Sequence, residues 1–203
     1  MTISVDPPSW SGAANARNIA SAALRMTYQM RAHGAHFVGT SGALLMVTRC
    51  EGVLTGALLH ATAPRPVHVV ANEAMNAALP ERVLSAAGDI RVSGPGALLT
   101  QRIALAALND GRAVVVAGSA VCVGYLGAVS GVAVMPVVLL GAVGRVSTDP
   151  PRPRSRIDVF YAPPVALTVT GDPMRTATRT AVAEQVRQLI ADAEELAAMR
   201  VVS

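Results

Sequence analysis

The stretch Ala43–Leu59, ALLMVTRCEGVLTGALL, decides the fold. Leu44–Val47 is a short apolar run, Thr48-Arg49-Cys50-Glu51-Gly52 is a polar turn, and Gly52–His60 is a small-residue segment of helical character. A strand that hands over to a helix through a polar turn is the recurring joint of an α/β sheet, and ligands gather at the carboxyl ends of such strands.

Working outward, Pro64-Arg65-Pro66 punctuates the chain and the β-branched Val67–Ala71 (VHVVA) predicts the next strand. Upstream, Ala14–Arg31 predicts a helix with Ile19, Ala22, Ala23 and Met26 on its apolar face and Arg17, Arg25 and Arg31 around it. Such a helix either packs on the sheet or rests on a membrane as a basic amphipathic element. His33 and His36 read as loop histidines rather than metal ligands, and Phe37–Thr40 as a short edge strand. Residues 1–13 are expected to form a loose tail, and 14–203 a single α/β domain.

Further along, Asn72–Leu84 reads as two short helical pieces around Pro80, and Asp89–Val92 as a brief strand. Ser93-Gly94-Pro95 is a helix start and Gly111 a helix stop, bracketing Gly96–Asn109. No charged residue occurs between Ala113 and Gly144, and Gly127-x-x-x-Gly131 is a close-packing motif of membrane helices. The breakers Gly118, Gly124, Gly131 and Pro136 and the valine clusters at 114–116 and 134–138 favour a buried strand, a helix around Val121–Ser130 and a second buried strand instead. Ser147–Arg156 is a proline-stiffened basic loop, followed by strand segments at Ile157–Tyr161 and Val165–Val169. Asp172 is placed to cap an amphipathic helix running to Met199, with Val182, Val186, Leu189, Ile190, Ala193 and Leu196 on one stripe facing the domain. Alternation of this kind implies a largely parallel central sheet covered by helices on both faces.

Composition limits the function. Half of the 203 residues are apolar and only 3% aromatic, so the core is built from small branched side chains. All 17 basic residues are arginine. A net charge of +4 with so few aromatics supplies neither a dense basic stripe nor stacking platforms, which argues against nucleic acid as a partner. Weak attraction to anionic lipid fits better. Cys50 and Cys122 form no CxxC pair, so neither a disulfide framework nor a metal site is expected, and no cofactor. The first dozen residues lack a signal peptide's charged start and apolar run, which makes a cytoplasmic location the expectation.

The order of elements over about residues 36–165 resembles the glycerolipid acyltransferases, the family of the lysophosphatidate acyltransferases. In that family a strand runs into Asn-His-x-x-x-x-Asp. Here Arg49-Cys50-Glu51-Gly52-Val53-Leu54-Thr55 is in register, so Cys50 takes the histidine position and Thr55 the aspartate position. The family's Gly-x-Ile-x-Val-Asp-Arg is similar to Gly88-Asp89-Ile90-Arg91-Val92-Ser93-Gly94, with Gly94 at the arginine that grips the substrate phosphate. Its Phe-Pro-Glu-Gly segment falls at Ala117-Gly118-Ser119-Ala120, giving Ser119 for the glutamate. Met135-Pro136-Val137 leading to Gly141, and Tyr161-Ala162-Pro163-Pro164-Val165, resemble the last two landmarks.

The resemblance implies a histidine general base oriented by an aspartate, and both are replaced here. Loss of base, orienter, phosphate arginine and glutamate together leaves little to stabilise a tetrahedral transition state. The expectation is a pseudoenzyme with no catalytic residues, a lipid- or acyl-chain-binding, regulatory or scaffold subunit, with Arg49, Cys50, Ser93 and Ser119 as candidate ligand contacts. Its expected partners are an acyl chain or acyl-CoA, a lipid-enzyme or transport protein, and the inner membrane face. The alternative is an active acyltransferase in which Cys50, activated by Arg49, accepts an acyl group from acyl-CoA or acyl-carrier protein and passes it to a lipid-type acceptor. His60 and His68 are the nearest histidines, one ending a helix and the other alternating within a strand.

Overall fold

A computed structural model describes residues 8–50, 52–71, 75, 81–90, 98–118 and 120–202. The described elements are, in order, α1 (Trp10–Thr27), β1 (Gln29–His33), a 3₁₀ turn (Ala35–Val38), β2 (Leu44–Thr48), α2 (Thr55–Thr62), β3 (Val67–Val70), α3 (Glu81–Ala86), α4 (Leu98–Asn109), β4 (Ala113–Ala117), α5 (Ala120–Ser130), β5 (Val134–Leu140), β6 (Arg156–Tyr161) and α6 (Thr176–Val202). The six strands form one sheet in the order β1-β6-β5-β2-β4-β3, parallel at every pairing except β5 with β6. β2 lies between β4 and β5, which puts its carboxyl end in the middle of the sheet's edge.

Alternation along the strands divides the core into two layers. Met46, Val69, Val115 and Met135 face α1 and α2, packing on Leu24, Tyr28, Leu58 and Leu59. Leu45, Val70, Val114 and Val116 face the other way, onto Ala104 and Leu108 of α4, Leu126 of α5 and Val186 and Ile190 of α6. Both faces of the largely parallel sheet are therefore covered by helices, as the alternating pattern predicted. Every residue of β2, β3 and β4 is buried, and apart from His68 in β3 and Thr48 at the end of β2 all of them are apolar; each fully buried valine or leucine stabilises by about 1.5–3 kcal/mol. The charge-free run resolves into β4, α5 and β5, and no described helix is long and apolar enough to cross a membrane.

Several expectations are corrected. The first helix begins at Trp10, inside the expected tail, where Ser9 Oγ accepts from Gly12 N, and it ends at Thr27. Gln29–His33 leaves the helix to pair in parallel with Arg156–Phe160, so the edge strand is β1 and not Phe37–Thr40, where a 3₁₀ turn stands. His33 is thus a strand residue. The side chains of Ile19 and Met26 face solvent, 70% and 84% exposed, while Gly12, Ala13 and Leu24 face inward. The small residues let α1 approach closely: a Cβ on Gly12 would stand 2.6 Å from Ala86 O. The second helix starts at Thr55 rather than Gly52. Val165–Val169 is no strand; only Val165 makes a bridge, to Val134. Asp172 accepts from Met174 N in a turn ahead of α6, which starts at Thr176, and Leu196 is exposed while Ala197 takes the inward position. Of the Asn72–Leu84 and Asp89–Val92 segments, α3 and a parallel bridge of Ile90 to Val70 are described.

Candidate functional site

The turn after β2 sits where the sheet's carboxyl edge meets the amino end of α2. Gly118 N donates to Thr48 O, drawing the end of β4 alongside it, and Val53 N donates to Ser147 O, tying the basic loop over it. Gly52 is confined: a Cβ there would stand 3.0 Å from Val143 Cγ2 and 3.2 Å from Ala142 O.

Within this turn Cys50 and Thr55 face one another. Cys50 Sγ and Thr55 Oγ1 are hydrogen bonded at 3.1 Å, and Cys50 N donates to Thr48 Oγ1 at 3.2 Å. Thr55 is fully buried, whereas Cys50 is half-buried against the apolar layer shared with α1 and α2. Five residues apart, the two side chains meet because α2 turns back directly after β2. Arg49 points elsewhere: its Nη1 donates to Glu194 Oε2 of α6 at 3.0 Å, and both groups are well exposed. Chemically the pair is a thiol and a hydroxyl, neither of which carries a charge to orient the other. Ser93, Gly94 and Ser119 lie outside the described residues.

Two carboxylate–imidazole pairs lie away from this turn, and no spacing in the sequence announces them. His60 Nε2 is 2.8 Å from Asp89 Oδ1, which also accepts from Val69 N. His60 is at the far end of α2 from Thr55, and both side chains are at most 4% exposed, so the pair is shut off from any substrate. His33 Nε2 is 2.8 Å from Asp158 Oδ1, with the imidazole stacked on Phe160 at the β1–β6 edge. Burial works to raise the Asp158 carboxyl, but hydrogen bonds from Arg156 and His33 outweigh it and hold its pKa below the ordinary carboxylate value. His68 is fully buried with Nδ1 2.8 Å from Gly88 O, and burial pushes its pKa down. Among the described residues no cluster of histidine, cysteine and acidic side chains is arranged to hold a metal.

No family model matches the sequence, and no curated protein matches it. Among solved structures, the fold is similar to that of the 1-acyl-sn-glycerophosphate (LPA) acyltransferase PlsC from Thermotoga maritima. The TM-score is 0.56 at 13% identity, covering 89% of this chain and 79% of that one. The chain therefore has an acyltransferase-like α/β fold.

Proposed function

We propose that this chain is a catalytically degenerate member of the acyltransferase-like fold that binds a lipid or acyl chain, or serves as a scaffold or regulatory subunit beside a lipid enzyme or transporter. The reading places it in the cytoplasm at the inner membrane face. What supports it is the Cys50–Thr55 pair. The resemblance assigns these two positions to a base and its orienter, and their side chains do meet, at 3.1 Å, but as thiol and hydroxyl. Neither can take a proton from an acceptor hydroxyl as an oriented imidazole does. The Arg49 guanidinium, paired with Glu194, supports the same reading, because it is not directed at the Cys50 sulfur.

The test is an acylation assay. Purified protein incubated with acyl-CoA and lysophosphatidate is expected to give no product above the protein-free blank. Turnover that vanishes in Cys50→Ala would instead establish the active alternative. In that route the Cys50 sulfur attacks the acyl thioester and its proton passes to the departing CoA sulfur, which leaves as the thiol; the acceptor hydroxyl then takes the acyl group from Cys50 and its proton restores the Cys50 thiol. Thiol labelling of a Cys122→Ser variant gives an independent measurement: Cys50 should react much more slowly in the folded protein than in urea.

A further inference from the structure

At the end of the sheet opposite the Cys50 turn, the segments leading into β2, β3 and β4 surround an open cavity of about 230 Å³. Its walls are Trp10, the Thr40-Ser41-Gly42 turn, Arg65, and Asp110-Gly111-Arg112. Arg65, held between Pro64 and Pro66, is only 5% exposed, yet no described carboxylate pairs with it. Among the described residues its one hydrogen bond runs from Nη1 to Gly42 O at 2.7 Å, and its Nε is buried with no acceptor. A buried guanidinium without a counter-ion is costly, and proteins place one mainly where something negative will meet it. Burial also pushes the Arg65 pKa down, the direction expected of a cation stripped of water.

The neighbours do not supply that charge. Arg112 donates to Asp110 and to Pro8 O and lies over the Trp10 ring, so the one acid lining the cavity is already matched by a second arginine. The exposed Thr40 and Ser41 hydroxyls have no described hydrogen-bond partner, and Gly39 and Gly42, at φ +67° and +91°, bracket them. A guanidinium and two hydroxyl-bearing residues from different segments line the same cavity, a set of donors that the several acceptor oxygens of a phosphate can use together. The cavity is many times the size that one water needs by the same measure, and Trp10 forms part of its wall.

We propose that this cavity binds the phosphoryl group of a phosphate monoester, with the phosphate on Arg65 and the Thr40-Ser41 turn and the organic part against Trp10. The site is separate from the Cys50 turn and holds whether or not that turn is catalytic. Trp10 is the sole tryptophan, so its fluorescence reports on the cavity directly. Titration with inorganic phosphate, and with glycerol phosphate, at ionic strength matched by sodium chloride should give a saturable change that chloride does not. Soluble dihexanoyl phosphatidate is the third arm. Tighter binding than glycerol phosphate assigns the phosphate to a lipid headgroup, and equal or weaker binding to a soluble ester.

Arg65→Met should weaken phosphate binding by about ten- to a hundredfold, the loss of a charge-assisted hydrogen bond in a buried site. Ser41→Asp, on an exposed turn that leaves the core untouched, should abolish it. The proposal is overturned if chloride reproduces the response, if no saturation occurs, or if folded Arg65→Met or Ser41→Asp protein binds phosphate like the wild type.

Discussion

Residues that look functional in this chain divide by what surrounds them. Cys50 and Thr55 meet only because β2 and α2 are joined by a tight turn, and it is the resemblance to the acyltransferase motif, not any pattern of their own, that pairs the two positions in the sequence. His60 and Asp89 are 29 residues apart, and only the packing of α2 beside β3 brings them together. His68 gives a direct test of what burial does. Its folded-state pKa lies below the unfolded value because the interior disfavours the imidazolium. Below about pH 6.5 the unfolded chain binds a proton at this position that the native chain does not, so stability falls as pH drops from there toward the folded pKa and is level above it. Urea unfolding measured from pH 8 to pH 5 should show that loss in the wild type. His68→Gln should remove the part of the slope due to this site, and an unchanged slope would contradict the assignment.

Elements pack here through small residues. Gly127, from the motif that suggested a membrane helix, and Gly124, one of the breakers set against it, bring α5 against α6. A Cβ on Gly124 would stand 2.5 Å from Arg179 O, and one on Gly127 would stand 3.0 Å from Val182 Cγ1. Because the first obstacle is a backbone carbonyl, it cannot rotate away. Gly124→Ala gains about 1 kcal/mol of helix propensity. The forced separation of the helices should more than cancel that, for a net loss of about 1–2 kcal/mol in chemical denaturation. A variant as stable as the wild type would mean that α6 can shift without cost. The reassignment of Gln29–His33 belongs to this scale too. QMRAH has no strand alternation of its own, and it becomes β1 because β6, more than a hundred residues later, offers it an unpaired edge.

The whole molecule carries its exposed apolar residues unevenly. On α1 the four residues that the sequence groups on one face, Ile19, Ala22, Ala23 and Met26, all face outward with Arg25 beside them. That geometry fits an interfacial helix lying on an anionic surface. Sedimentation with vesicles containing phosphatidylglycerol should carry the protein down at low salt. Ile19→Glu with Met26→Glu should weaken that partition roughly tenfold or more per site while leaving the melting temperature unchanged, since neither side chain supports the core. Equal sedimentation of wild type and variant would rule this face out as the contact.

What the sequence by itself determined was everything set by local pattern: the apolar runs of β2, β4 and β5, the helix that ends at Gly111, the inward stripe of α6, and from their alternation a parallel sheet covered on both faces. Each is a consequence of burying small branched side chains at strand or helix period. Tertiary structure alone decided which edge segment becomes β1, which face of α1 turns inward, and where a guanidinium that no described carboxylate pairs with is enclosed. Those depend on contacts between segments far apart in the chain. Arg65 between its two prolines reads as mere punctuation until the segments leading into β2, β3 and β4 close around it.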